Sequence, residues 1–276
     1  MIYNPAMPEL IGADILYRKW ETADPKAVLL LVHGMGAHSA RWKFLADYFT
    51  AQGFSSYALE LKGFGATPNR PRGHVDSFNI YYADILKLYN IIQKENPGRK
   101  VFLLAESMGG LIAFLMACQH PDKFAGQILI SPAFQNGMKF KFSAYLTLIG
   151  SIFVNPKKTI EMPFTSAMCT RDLEYQKVMD HNPDESRVAS IKMLMNIIFA
   201  QMAALKLAKT LLVPSLFLIA GKDYLVNEKA GRQVFEGLKL KDKTKIEYPE
   251  MLHALSIDLG REHVFADINN WLSKRV

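Results

Sequence analysis

Short uninterrupted apolar runs alternate along this chain with stretches whose apolar residues recur every three or four positions, and that alternation predicts the fold. Residues 27–32 are an uninterrupted run of the kind expected of a strand covered on both faces, residues 101–104 read as a buried strand, and residues 54–61, 127–130 and 215–220 as further strands. Residues 11–20 alternate only loosely and lead into Glu-Thr-Ala-Asp-Pro, which predicts an antiparallel edge strand and a turn; residues 245–248 predict a last strand. Helical spacing fills the intervals. Ser39 is expected to cap a helix carrying Trp42, Leu45, Ala46 and Phe49, and Asp76 or Ser77 one carrying Phe78, Tyr81, Ile85, Leu88 and Ile92. Further helices are predicted over 111–118, from Asn227 or Glu228 to Leu238, and over 262–273 with Val264, Phe265, Ile268, Trp271 and Leu272 facing inward. Strand and helix in short repeating units imply an α/β architecture, a mostly parallel sheet with helices on both faces.

The alternation stops from Ala133 to Thr210. This region is helical in pattern and rich in Met, Phe and Ile. One segment, with Phe140, Phe142, Tyr145, Leu146, Leu148, Ile149, Ile152 and Phe153, is apolar on more than one face. A second helix is expected to be capped at Asn182, with Pro183 at its first position, and to carry Val188, Ile191, Leu194, Ile198, Met202 and Leu205. A helical excursion between two strands of such a sheet is the natural place for a lid, and methionines suit a surface that receives flexible apolar chains. The expected organisation is a core of residues 1–134 and 211–276 with a helical cap inserted at 135–210.

Composition narrows the partners. Half of the 276 residues are apolar, ample for one large core. The net charge of +7 comes from scattered lysines and arginines in small groups, such as Lys157 with Lys158, and not from a stripe, so nucleic acid is not an expected partner. Weak attraction to anionic lipid headgroups is compatible with it. The start of the chain lacks a basic region followed by an apolar core, and no apolar run reaches the ~18–20 residues of a bilayer span, so a cytoplasmic protein, peripheral at a membrane if it meets one, is expected. Two cysteines, Cys118 and Cys169, suggest neither a metal site nor a disulfide.

The chemistry begins at Ser107. The stretch Val-Phe-Leu-Leu-Ala-Glu-Ser-Met-Gly-Gly-Leu from Val101 is a strand running into a helix, with Ala105 and Gly109 two residues to either side of the serine. That is the spacing of a nucleophile elbow, in which a sharp turn exposes one hydroxyl. Taken alone, it is also what an ordinary strand-to-helix turn looks like. A serine needs a base to take its proton and a carboxylate to orient that base. Asp223 follows one later predicted strand and His253 the last, so all three would lie at the carboxyl edge of the sheet, where ligands bind. Asp258 is the rival acid, but five residues after the histidine it reads as a helix cap or surface residue. His33 is expected to serve through its backbone, His120, His181 and His263 sit in or beside helices, and His38 and His74 could buttress loops. The oxyanion formed on attack needs N–H donors, for which the backbone at Met35, between Gly34 and Gly36, and at Met108, at the head of the elbow helix, is suited.

With these residues in view, His33-Gly34-Met35-Gly36, Ala105-Glu106-Ser107-Met108-Gly109-Gly110, Gly221-Lys222-Asp223 and Leu252-His253 resemble the oxyanion loop, elbow, acid and histidine of the α/β-hydrolase fold. More narrowly, His38-Ser39 with Arg41-Trp42, the run from Arg72 to Phe78, Met162-Pro163-Phe164-Thr165 and Thr170-Arg171-Asp172 resemble monoacylglycerol lipases and their bacterial lysophospholipase-like relatives. The resemblance implies a serine hydrolase of single-chain lipid esters with no cofactor and no metal, Ser107, Asp223 and His253 as triad, and Met35 and Met108 as oxyanion donors. A lysophospholipase or thioesterase is the nearby alternative, and a non-catalytic binding protein of the same fold is a more distant one. Ala105 in place of the first elbow glycine and Lys62-Gly63-Phe64-Gly65 in place of an Arg-Gly-His-Gly-like loop depart from the pattern.

Overall fold

A computed structural model describes residues 9–11, 15–68, 71–138, 150–151 and 154–276. Eight strands form one sheet in the order β1-β2-β4-β3-β5-β6-β9-β10. They are β1 (Glu9–Ile11), β2 (Ile15–Trp20), β3 (Val28–Val32), β4 (Ser55–Glu60), β5 (Val101–Glu106), β6 (Gly126–Ile130), β9 (Ser215–Ala220) and β10 (Lys243–Tyr248). From β4 to β10 every neighbouring pair is parallel, whereas β1 with β2 and β2 with β4 are antiparallel. The expected edge strand over 11–20 is therefore two strands, and the outer of them, β1, is the edge.

The uninterrupted runs serve two cores at once, because successive side chains of a strand point to opposite faces. In β3, Val28, Leu30 and Val32 join the cluster that includes Tyr81, Ile85, Leu88 and Phe114, whereas Leu29 and Leu31 join Trp42, Phe49, Val264 and Trp271. Val101, Leu103 and Ala105 of β5 divide from Phe102 and Leu104 in the same way. Helices α2 (Phe78–Glu95) and α3 (Met108–Gln119) thus cover one face, and α1 (Lys43–Ala51) and α8 (Arg261–Leu272) the other. Truncating one of these fully buried leucines to Ala would cost about 2–5 kcal/mol.

Local chemistry sets the helix starts. Ser77 caps α2 by accepting from the Asn79 N–H at 3.2 Å, and Asn227 caps α7 (Glu228–Gly237) by accepting from the Lys229 N–H at 3.1 Å. Ser39 does not cap α1 as expected. It opens a 3-10 turn, Ser39–Trp42, while its N–H and hydroxyl are both committed to Glu60 on β4, a buried carboxylate that the sequence pattern could not show facing it.

The sheet is interrupted after Ile130 and resumes at Ser215. In that interval the chain forms β7 (Thr159–Glu161), α4 (Ser166–Cys169), α5 (Leu173–His181), β8 (Val188–Ser190) and α6 (Ile191–Leu207). The expected helix from Asn182 is a correction: Asn182 follows α5, and Val188–Ser190 pairs antiparallel with β7, so α6 starts only after Ser190, whose hydroxyl accepts from the Met193 N–H at 3.0 Å. The expected helix over 140–153 lies outside the described residues apart from positions 150 and 151.

Candidate active site

Ser107 sits between β5 and α3 with φ 59° and ψ −122°, a backbone conformation that a residue with a Cβ adopts only under strain. The turn is held by the Ser107 N–H donating to the Ile130 carbonyl at 2.9 Å, and by the Ser107 carbonyl accepting from Leu111 and Ala133 N–H at 3.1 and 3.0 Å. Gly109 is obligatory there: a Cβ would lie 2.3 Å from the Val32 carbonyl oxygen. Ala105 is fully buried within regular β5, so its extra methyl is packed as core and the departure at this position is absorbed. Gly34 brings the loop after β3 against the serine, since a Cβ on it would fall 2.9 Å from Ser107 Cβ.

His253 follows β10 and is buried, and its Nδ1 lies 2.7 Å from Asp223 Oδ2 after β9. Asp223 is held in turn by its other oxygen, which accepts from the Leu225 and Val226 N–H groups at 2.8 and 3.0 Å. Burial pulls the imidazole down, but the charge and hydrogen bond of Asp223, helped by Glu106, outweigh it and leave His253 above its ordinary value. The pairing directs the Nδ1 proton to Asp223 and leaves Nε2 available. Ser107 and His253 line one cavity, together with Met35 and Met108. Neither the Met35 N–H nor the Met108 N–H has a protein acceptor among the described residues.

Other histidines have different work. His33 donates from Nδ1 to the Gly34 carbonyl and accepts the Leu61 N–H at Nε2, at 2.8 and 3.0 Å, and burial lowers its pKa to about 3, so its ring is a neutral brace for the loop. His38 reaches Asn182 at 3.1 Å, and His74 reaches the Ser190 hydroxyl at 2.8 Å, which bears out the expected buttresses. Asp258 is not a surface residue or a cap. It is fully buried, with Oδ2 accepting from the Leu252 N–H at 2.8 Å, whereas the carboxylate hydrogen-bonded to the His253 ring is that of Asp223.

Three features were not legible in sequence. Arg41, which is buried, and Glu185, far away in the chain and mostly enclosed, form a two-point pair at 2.6 and 2.5 Å, in which Arg41 and His38 overcome desolvation and hold the Glu185 carboxyl at about 2. Next to it the Ser186 N–H donates to the Gly36 carbonyl at 2.9 Å, tying the segment after β6 to the loop that carries Met35. Glu106, beside the serine, is buried in the cavity wall and accepts from the Ser256 hydroxyl and N–H at 3.0 and 3.3 Å; burial raises its pKa against the pull of His253, Arg41 and Ser256. Only the elbow spacing could have drawn attention to it.

The cavity has a volume of about 200 Å³. Met138, Met162, Phe164, Leu194 and Ile197, all from the excursion between β6 and β9, make its walls largely apolar. Lys157 and Lys158 are exposed and take no part in it, while Lys139 and Lys141 lie outside the described residues. Among the described residues no cluster of His, Cys, Asp and Glu suited to a metal ion occurs.

Comparison with known proteins places this arrangement. Monoglyceride lipase of Homo sapiens is 32% identical over 281 residues, covering 98% of this chain and 91% of that protein. Phospholipase YtpA of Bacillus subtilis (strain 168) is 27% identical over 250 residues, 89% of this chain and 95% of its own. The crystal structure of Paleococcus ferrophilus monoacylglycerol lipase matches with a TM-score of 0.86 and 27% identity, over 95% of this chain and 99% of that one. The family model described as Serine aminopeptidase, S33, matches residues 23–260, on both sides of the excursion and through it. A match of that extent takes in the sheet from β3 to β10, the insert and the cavity between them: the chain belongs to the Serine aminopeptidase, S33, family of α/β-hydrolases.

Proposed function

We propose that the protein is a serine esterase that hydrolyses single-chain lipid esters, with monoacylglycerol as the leading substrate. The observation that carries this is the cavity in which an apolar wall from the excursion closes over Ser107 and His253, with Asp223 hydrogen-bonded behind the imidazole. Ser107 Oγ attacks the ester carbonyl while His253 Nε2 takes its proton; the carbonyl oxygen becomes an oxyanion stabilised by the Met35 and Met108 N–H groups. Collapse expels the alcohol, protonated by His253, and leaves an acyl-Ser107. Water, deprotonated by the same imidazole, attacks the acyl carbon and frees the fatty acid and the serine. Asp223 holds the Nδ1 proton and stabilises the imidazolium throughout.

In this reading residues 135–210 form the cap that selects the acyl chain, on a core of residues 1–134 and 211–276. Ile198, Phe199, Met202 and Leu205 of α6 are substantially exposed while Leu194 and Ile197 line the cavity, so the helix is apolar both inward and outward. Ile191–Thr210 has the length and mean hydropathy of a spanning helix, 20 residues at 1.4. Gln201 and Asn196, however, donate to the carbonyls of Ala133 and Val75, which fastens the helix to the protein and favours contact in the plane of a lipid surface. Both cysteines are free thiols, which suits the cytoplasmic side that we propose for it.

The test is hydrolysis of monoacyl esters of graded chain length by wild type and Ser107→Ala. The wild type should favour chains long enough to fill the cavity, and the variant should be inactive; full activity in the variant would rule the mechanism out. The relationship to a phospholipase supports a second reading, lysophospholipase activity at the same site. Comparing monoacylglycerol with lysophospholipid at low and high salt separates the two, because a preference for the phosphate-bearing substrate that ignores salt would exclude electrostatic selection.

A further inference from the structure

The Thr-Arg-Asp motif at 170–172 has no place in the reaction just described, yet Thr170 and Arg171 converge on the loop that carries His253 and Asp172 on the start of α8 behind it. Asp258 Oδ1 accepts from the Arg171 N–H at 2.6 Å and lies 3.2 Å from the Thr170 hydroxyl. Its Oδ2 accepts from Arg171 Nε at 2.9 Å and from the Leu252 N–H at 2.8 Å. Arg171 also donates to the Leu259 carbonyl, and Asp172 Oδ2 accepts from Arg261 at 3.1 Å. On the other side of the histidine, the Ala254 N–H donates to the Cys169 carbonyl at 2.9 Å. His253 is thus gripped through both of its chain neighbours, once by Asp258 and once by the end of α4.

We propose that Asp258 is a positioning residue for His253, and that through it the Thr170-Arg171 segment of the cap and the catalytic imidazole are set in place as one unit. The inference rests on His253 being the base. A carboxylate enclosed in protein accepts strong, directional bonds from an N–H and a guanidinium, and here one carboxylate spans two chain segments that would otherwise be free to shift relative to each other. Among the described residues the ring's hydrogen-bond partner is Asp223 alone, so the height of the imidazole above the elbow depends on where the backbone at Leu252 and Ala254 is held. A displacement of about 1 Å at a proton-transferring group is enough to cost on the order of 10²-fold in rate.

The experiment is steady-state kinetics of Asp258→Asn on one long-chain and one short-chain ester, each rate divided by the active sites counted by fluorophosphonate titration. The isosteric amide keeps the volume but loses the charge, and one of its two ends can no longer accept. The expected result is a fall in kcat of about 10- to 100-fold for both esters with KM within about threefold, the pattern of a lost transition-state alignment. Because Asp258→Asn could fold poorly, Arg171→Met is the second variant: it removes a partly exposed side chain and leaves the Leu252 bond, and kcat should fall by a smaller factor, again with KM little changed. The two losses should not multiply in the double variant, since they share one interaction. A wild-type kcat per active site in both variants, or losses that multiply, would overturn the proposal. Failure of the wild type to react at Ser107 would instead remove the base assignment on which it depends.

Discussion

Replacing Ser107 by Gly should make the protein more stable than replacing it by Ala, although both variants are expected to be inactive. The serine is held at φ 59° and ψ −122°, where any residue with a Cβ is strained and only Gly is at ease. Such strain is of order 1–3 kcal/mol, and Ala carries it as fully as Ser does. The Gly variant relieves it but gives the unfolded chain more freedom, which offsets about 0.4–1 kcal/mol. The net expectation is that Ser107→Gly exceeds Ser107→Ala by roughly 0.5–2 kcal/mol. At about 2–4 °C per kcal/mol for chains approaching this size, the difference in Tm is on the order of 1–8 °C. The comparison with Ala is the informative one, because both variants lose the hydroxyl and differ only in the methyl that the turn must bear. The assay is parallel thermal and denaturant unfolding of the two proteins with esterase activity measured on each. A Gly variant no more stable than the Ala variant would refute the argument that the elbow stores strain at this residue.

Other outcomes follow from the same structure. Glu185→Gln leaves Arg41 buried without its carboxylate and should cost about 3–5 kcal/mol in denaturant unfolding, against little change for the exposed pair partner Glu174→Gln. In the wild type the Glu185 carboxyl, lowered to about 2 from 4.5, contributes stability that is present above pH 4.5 and is lost as pH falls from there toward 2; an acid titration of unfolding should show roughly 3 kcal/mol lost across that window, and Glu185→Gln should show less. Since His253 is raised above 6.5 and acts as a base only when neutral, kcat/KM should fall as pH drops through its pKa; Glu106→Gln, which removes one of the groups raising it, should move that acid limb to lower pH. Gly109→Ala should reduce both stability and activity, because its Cβ meets a backbone oxygen that has no room to retreat, and soluble, fully active Gly109→Ala protein would contradict the close approach of α3 to β3.

The sheet was legible in the sequence because the runs at 27–32, 101–104 and 215–220 are buried on both faces, and nothing but a covered strand in a repeating α/β pattern accounts for them. Ser107, Asp223 and His253 could be picked out for a related reason: Ser107 and Asp223 follow buried strands of this kind and His253 the loop after the half-exposed last strand, so topology brings all three to one edge. The insert was read less well. Val188–Ser190 was absorbed into a helix because Asn182-Pro183 is a plausible start and because a three-residue strand leaves no periodicity; its identity depends on pairing with Thr159–Glu161, a contact between distant residues. Asp258 was misplaced on similar grounds. An aspartate before a helix usually caps it, and only the fold reveals that the cap segment from Thr170 arrives to meet it. The Arg41 and Glu185 pair was hidden for the same reason, since spacing along the chain carries no record of which buried charges meet.

The claim at the centre of this account is that Ser107 is the nucleophile, activated by His253. Reaction of the folded protein with a fluorophosphonate, followed by peptide mapping, tests it most directly. A single adduct on Ser107 is expected, absent from Ser107→Ala and formed far more slowly in His253→Ala. An adduct on another residue, or equal labelling of wild type and Ser107→Ala, would contradict it.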